Sequence, residues 1–288
     1  MTLSVRPRRS ALYMPGSNAR ALEKARELAA DCMILDLEDA VAPEAKEEAR
    51  NLIVAAVEKG GYGNREIIIR INSLDTEWGE KDAAAVAAAG ADAILLPKVE
   101  TRNQLIKLHE ILAENGAPEH LSLWAMAETP RGIIDLDDIC AAPHLAAIVM
   151  GTSDLAKEMR VAPNGDRIGL LGALNHCLIT ARAHGLDILD GVHLGIDDDA
   201  AFRAACVQGH ELGFDGKTLI HPRQIATTNE VFGVSDADAQ EAEALLDTWQ
   251  QARAAGQGVA VHKGKLVEQL HVDEAERILA LHQAALNN

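Results

Sequence analysis

The chain predicts an α/β fold: a closed (β/α)8 barrel followed by a helical carboxy-terminal arm. Three observations lead there. Eight short runs rich in Ile, Leu, Val or Ala recur between residues 10 and 220, and helical patterns fall between them. The runs are continuously apolar rather than alternating, as strands of a parallel sheet covered on its outer side must be. Eight such strands fit a barrel better than an open doubly wound sheet.

The expected strands are residues 10–14, 32–37, 66–72, 93–98, 123–127, 147–150, 188–193 and 217–220. Helices are expected at 18–30, 43–59, 76–89, 101–115, 131–140, 169–184 and 197–212. Pro43 suits a first helical position, and Gly90, Gly116, Gly185 and Gly213 stand where helices stop. The barrel is assigned to residues 1–230, closing near His221-Pro222, and residues 231–288 to a second region. There an acidic helix is expected over 235–255, a joint at Gly256-Gln-Gly258, an extended arm or hairpin over 259–271, and a helix over 273–285. The Gly-x-Gly lacks the strand-turn-helix context of a nucleotide loop. Such an appendage suits a lid or an oligomerisation element.

With 288 residues, 48% hydrophobic and 25% charged, the chain is globular, and 3% aromatics imply an aliphatic core. No apolar stretch reaches the ~18 residues of a membrane span, and the start lacks the apolar core of a secretory signal. Cys32, Cys140, Cys177 and Cys206 form no CxxC pair, so buried thiols in a reducing cytoplasm are expected. The net charge of −17 argues against nucleic-acid or anionic-membrane partners. Against that balance, Arg6, Arg8, Arg9, Arg20, Lys24 and Arg26 crowd the first segment, opposed there by Glu23 alone. This basic segment reads either as a seat for a phosphorylated cofactor or as a solubilising arm.

The chemistry is expected at strand ends. Two apolar runs each end in a lone carboxylate, Glu128 and Asp154. Adjacent strand ends of a β/α barrel share the face that carries activity. These acids can therefore converge on a hard cation, Mg²⁺ or Mn²⁺, with room for water and an oxygen-rich substrate. Otherwise they cap the helices that follow. Arg70 follows an apolar run, where it must find an anion or water, either a substrate carboxylate or a neighbouring strand's acid. Asp36, Glu38 and Asp39 cluster at another strand end, where they would orient metal-bound water or Arg70, or cap ahead of Pro43. Lys98 could serve as a Schiff-base amine, but the competing metal site favours a structural or substrate-facing role. His193 and His221 lack zinc-type spacing and read as pocket lining or core.

Taken in order, the motifs resemble a known family. Leu12-Tyr-Met-Pro-Gly-Ser-Asn-Ala-Arg20-Ala-Leu-Glu-Lys24-Ala, Asp36-Leu-Glu38-Asp39-Ala-Val, Arg70-Ile-Asn, Leu96-Pro-Lys98, the Glu128 strand end, Gly151-Thr-Ser-Asp154-Leu and Gly216-Lys-Thr-Leu-Ile-His221-Pro222 are similar to citrate lyase β-subunit-like proteins and malyl-CoA lyases, within the HpcH/HpaI aldolase superfamily. The resemblance implies a TIM barrel, Mg²⁺ held by Glu128 and Asp154, and a CoA ester as substrate. It implies that Arg70 and the main chain around Gly151, Thr152 and Ser153 hold a small 2-oxo acid, and that Arg20 and Lys24 face the CoA phosphates. It also implies a homotrimer or hexamer whose carboxy-terminal arm lids a neighbouring site. The arm departs from the family's usual Gly-Lys-Met-Ile/Val-Asp followed by Pro. Gly264-Lys-Leu-Val-Glu268-Gln-Leu-His271 keeps a carboxylate one methylene longer and lacks the proline, as in the branch containing (3S)-malyl-CoA thioesterase.

The reaction implied is Mg²⁺-dependent cleavage of malyl-CoA, or a methylmalyl or citramalyl relative, to a 2-oxo acid and an acyl-CoA, reversible by Claisen condensation. Arg70 would offset charge, Glu38 and Asp39 would orient groups, and Glu268 would relay the enolate proton. The alternatives are thioester hydrolysis, a citrate lyase β-like subunit dependent on an acyl-carrier partner, and a CoA-independent metal aldolase.

Overall fold

Strand spacing closes the barrel. The computed structural model describes residues 6–162 and 164–286. Its first eight strands are β1 (Ser10–Pro15), β2 (Cys32–Asp36), β3 (Glu66–Arg70), β4 (Ala93–Leu96), β5 (Ser122–Ala127), β6 (Leu145–Met150), β7 (Asp187–Asp190) and β8 (Gly216–Leu219). They form a closed barrel in sequence order, and β8 returns to β1 in parallel through Ser10↔Lys217 and Leu12↔Leu219. The expected fold is the observed one.

The barrel helices are α1 (Ala19–Lys24), α2 (Lys46–Lys59), α3 (Gly79–Val86), α4 (Arg102–Glu114), α5 (Pro130–Ile134), α6 (Leu136–Cys140), α7 (Thr152–Glu158), α8 (Leu171–Ala183), α9 (Asp199–Leu212) and α10 (Ile225–Val231). The helix expected over 18–30 is shorter. After α1 one 3-10 turn ends at Glu27, where Arg26 donates to Gly60 O at 2.6 Å and lies over the Tyr62 ring. The helix expected over 131–140 breaks at Asp135 into α5 and α6. Neither α7 nor α10 was expected, because both are short and carry few apolar residues to reveal their period.

Strand alternation sorts the barrel residues. Ala11, Cys32, Ile34, Ile68, Ala93, Leu95, Trp124, Met126, Ala147, Val149 and Leu189 pack together as the interior core. Below this core, ion pairs close the barrel. Arg8 grips Glu66 with two hydrogen bonds of 2.7 Å, reaches Asp187 at 2.6 Å and lies over Trp124, 5.0 Å from its ring centroid. Arg9 binds Asp31 at 2.7 and 2.8 Å. The basic segment expected to face a phosphorylated group is thus partly consumed within the barrel. Arg8 and Arg9 have structural carboxylate partners, while Arg20 and Lys24 on α1 are exposed.

All four cysteines are buried and free, and burial pushes Cys140 and Cys177 up to about 12. Thiolates are scarce at such positions, so these groups act as small hydrophobes.

A separate compact unit takes in Phe232 onward, distinct from Arg8–Val231. It contains α11 (Asp236–Ala254), the antiparallel pair β9 (Ala260–His262) and β10 (Lys265–Val267), and α12 (Gln269–Leu286). Ala252, Ala260, Val267 and Val272 form its small core with Leu245, Leu246 and Trp249. Its last helix begins four residues before the expected 273, at a start where His271 Nδ1 accepts the Glu268 N–H at 3.1 Å. Among the described residues no helix is long and apolar enough to cross a membrane.

Candidate active site

Two residues beyond each interior core position, the same face of a strand carries the next side chain. That rule takes Ala11 to Tyr13, Ile34 to Asp36, Ile68 to Arg70, Met126 to Glu128 and Val149 to Gly151. Tyr13, Asp36, Arg70, Glu128 and Gly151 therefore point toward the barrel axis at its carboxyl end.

Asp36 and Arg70 are register partners on β2 and β3. Arg70 Nε and Nη2 each donate to Asp36 at 2.7 Å, and the guanidinium carbon lies 4.7 Å from the Tyr13 ring centroid. Asp36 also accepts the main-chain N–H groups of Glu38 at 2.9 Å and Ala40 at 3.1 Å. One carboxylate thus orients the arginine and the acidic loop after β2 together. Arg70 Nη1 is held more loosely, with Glu38 Oε2 at 2.8 Å, Asp39 Oδ2 at 3.4 Å and Met126 Sδ at 3.8 Å. Glu38 Oε2 is buried and accepts no directed hydrogen bond. Burial first, opposed by Arg70, raises the Glu38 carboxyl above its ordinary range. Asp39 is exposed.

Lys98 joins three of the acids. Its backbone lies in the left-handed region, φ 51°, uncommon for a residue with a Cβ. Its N–H donates to Glu128 Oε1 at 2.7 Å, and its ammonium donates to Glu38 Oε1 at 2.7 Å and lies 3.4 Å from Asp154 Oδ2. Burial opposes the Lys98 charge, but Glu38, Glu128 and Asp154 together raise its pKa.

Glu128 is 3% exposed. Burial, then the Glu38 charge, pushes its carboxyl up to about 7. It packs against Gly151, where an added Cβ would fall 2.3 Å from Glu128 Oε2. Gly151 precedes α7, whose first turn carries Thr152, buried, Ser153, exposed, and Asp154, part-exposed.

Glu128 and Asp154 supply carboxylate oxygens, the donor type that suits a magnesium ion. A buried carboxylate with a raised pKa gains from a cation beside it, and the missing Cβ at Gly151 is what lets the Glu128 side chain lie against that backbone. Among the described residues no three His, Cys, Asp or Glu side chains are grouped to hold a metal. Glu128 and Asp154 both adjoin Lys98, at 2.7 Å from its N–H and 3.4 Å from its ammonium, and Mg²⁺ commonly takes one or two carboxylates with water and substrate oxygens.

Other sequence-level candidates fall elsewhere. His221 Nδ1 accepts the Arg223 N–H as a cap, and His193 meets Phe202 edge-on at 5.8 Å. Glu268 is exposed, just ahead of α12 in the carboxy-terminal unit. Sequence reasoning did not find the role of Tyr13, whose position two residues beyond Ala11 was the available signal. It also missed Asp190, Lys217 and Arg167. Lys217 Nζ donates to Asp190 Oδ2 at 2.8 Å and Arg167 Nη1 to Oδ1 at 2.6 Å. Asp190 alternates with the interior Leu189, so this trio lies on the other face of the sheet.

Known proteins are similar to this chain along nearly its whole length. A (3S)-malyl-CoA thioesterase of Cereibacter sphaeroides (strain KD131 / KCTC 12085) is 47% identical over 284 residues, covering 99% of this chain and 98% of that protein. An L-malyl-CoA/beta-methylmalyl-CoA lyase of Rhodobacter capsulatus is 34% identical over 298 residues, covering 94% and 93%. The crystal structure of protein CitE from Mycobacterium tuberculosis in complex with magnesium, acetoacetate and coenzyme A has a TM-score of 0.76 at 27% identity, over 97% of this chain and 99% of that one. The HpcH/HpaI aldolase/citrate lyase model matches residues 9–222, which is nearly all of the barrel, and the chain belongs to that family.

Proposed function

We propose that this protein is a Mg²⁺-dependent enzyme acting on malyl-CoA or a related 3-hydroxyacyl-CoA, with hydrolysis of the thioester as its principal outcome. The observation that carries the reading is the 47% identity, over 99% of the chain, to a (3S)-malyl-CoA thioesterase. It moves carbon–carbon cleavage, the outcome first expected from the motifs, to second place. The cleavage reading keeps the support of the 34% identical malyl-CoA lyase.

Glu128 and Asp154 would hold the metal. When bound, it would chelate the hydroxy-carboxylate end of the substrate and polarise the oxygens there. The chain's own groups do the rest. Arg70, fixed by Asp36, offers its loosely held Nη1 edge to the substrate carboxylate, and the N–H groups from Gly151 to Ser153 complete that seat. Glu38, buried and raised, accepts a proton and returns it. Asp39 flanks the Nη1 edge of Arg70. Arg20 and Lys24 take the CoA phosphates, and Glu268 is assigned a proton-carrying role by its place in the arm motif. The partners are small molecules, and the copies assemble as a trimer or hexamer.

Purified protein incubated with (3S)-malyl-CoA and Mg²⁺ is expected to release malate and free CoA, read by mass spectrometry, and Glu128→Ala is expected to release neither. Glyoxylate with acetyl-CoA would instead establish the cleavage reading. No turnover of any 3-hydroxyacyl-CoA in a panel would overturn both.

A further inference from the structure

Three cations stand among the carboxylates at the strand ends, and they differ in what they have left to give. Lys46 is 5% exposed and spends its ammonium on Leu37 O, Glu38 O and Asn72 Oδ1, each at 2.7 Å. Arg70 is 6% exposed, bound twice by Asp36 and covered on one face by Tyr13. Lys98 differs from both. Its side chain is 40% exposed, and its ammonium makes one close hydrogen bond, to Glu38. Two of its three protons are not committed to close partners, although Asp154 lies 3.4 Å away. The left-handed backbone that aims this residue is strained for a side chain with a Cβ, and it ties the Lys98 N–H to Glu128 at the same time.

We propose that the Lys98 ammonium stabilises the negative charge that forms on the thioester carbonyl oxygen of the substrate, an assignment that rests on the CoA-ester reading above. In hydrolysis a water oxygen bonds to the thioester carbon and the carbonyl π pair moves onto oxygen. The pair then re-forms the carbonyl as the C–S bond breaks; of the two protons of the attacking water, one goes to the leaving thiolate and the other to solvent as the product carboxyl ionises. In carbon–carbon cleavage the electron pair of the breaking bond flows to the same oxygen. The hydroxyl proton leaves to a base, and one proton returns to the enolate carbon. Charge develops on one atom in both reactions, so one ammonium serves either. The anchored Glu38 on one side and the part-exposed Asp154 on the other hold that ammonium at the mouth of the site rather than in its floor. Because it adjoins both proposed metal ligands without being one, metal affinity measured beside kcat separates its part in the chemistry from any effect on metal binding.

The test compares wild type with Lys98→Met, which keeps length and backbone strain but loses charge, and with Lys98→Arg. Lys98→Gly, which relieves the φ of 51°, checks that any loss is not a folding defect. Steady-state kinetics on malyl-CoA are measured beside Mn²⁺ affinity by electron paramagnetic resonance. The expected result for Lys98→Met is a kcat lower by about 100- to 1,000-fold, as for removal of one oxyanion donor. KM should stay near wild type and Mn²⁺ affinity should be unchanged or tighter. Lys98→Arg should recover part of kcat, and Lys98→Gly should fold yet share the loss. A kcat near wild type for Lys98→Met overturns the assignment. So does a kcat loss matched by a loss of Mn²⁺ affinity, since Lys98 would then only be spacing Glu38 from Asp154. A wild-type protein inactive on every CoA ester overturns the CoA-ester reading and the assignment together, whereas active wild type with unaffected Lys98→Met removes the assignment alone.

Discussion

Asp36 and Arg70 face each other across neighbouring strands and share two hydrogen bonds of 2.7 Å, with the guanidinium lying over Tyr13. The arginine is thereby fixed in direction as well as in charge. Asp36→Asn leaves that buried guanidinium half paired and weakens the loop that carries Glu38. Urea titration is expected to show a loss of about 3–5 kcal/mol, the range for breaking a buried ion pair from one side. Arg70→Lys is expected to lose most of kcat/KM, because an ammonium cannot make the two-pronged contact. An Asn variant as stable as wild type would contradict the pairing.

Gly151→Ala tests the space beside Glu128. The backbone there has φ −91°, which alanine tolerates, so the obstacle is steric: the new Cβ would meet Glu128 Cβ and Oε2 at 2.3 Å. The variant should fold, lose activity, and bind Mn²⁺ at least ten-fold more weakly (order of magnitude, by analogy with disturbed metal surroundings). Retained Mn²⁺ affinity would remove Glu128 from the metal proposal.

Glu128 gives a pH dependence with a definite sign. Its carboxyl is raised from 4.5 to about 7 in the folded chain. Stability from this group is therefore full below its unfolded value and is lost as pH rises through about 7, a change on the order of 3 kcal/mol. With EDTA present, Glu128→Gln should melt at a higher temperature than wild type at pH 8, with the gap shrinking toward pH 5. A gap that is constant with pH would show that burial does not strain this acid.

On the far side of the sheet, Lys217 is 1% exposed and Asp190 fully buried. Burial works to raise the Asp190 carboxyl, but Lys217 and Arg167 outweigh it and hold it below its usual range. Its stabilisation is present above the unfolded value and is lost as pH falls through the lowered folded one. Asp190→Asn is expected to cost about 3–5 kcal/mol, and the Lys217→Met, Asp190→Leu pair less than the sum of its singles. Strict additivity in thermal melts would deny the coupling.

The barrel was legible because its strands are continuous apolar runs and helices such as α8 and α9 stop at Gly185 and Gly213, which have φ of 69° and 103°, whereas α3 ends at Val86, well before Gly90. Strand-end position also marked Arg70, Glu128 and Asp154 for the carboxyl rim. What the sequence concealed depended on side-chain reach. Nothing in Arg8-Arg9 announces partners at Asp31, Glu66 and Asp187, from 22 to 179 positions away. The left-handed turn at Lys98 was equally hidden, because non-glycine residues give little local warning of a positive φ. Helix α7 escaped because seven residues show too few turns for a period.

The ion pairs around Arg8 and Arg9 join the foot of the barrel, and none of their members belongs to the carboxyl rim. A scaffold fastened at one end leaves the other free to vary. Loops at the carboxyl rim can change in length and chemistry with no need to reinvent the architecture beneath them.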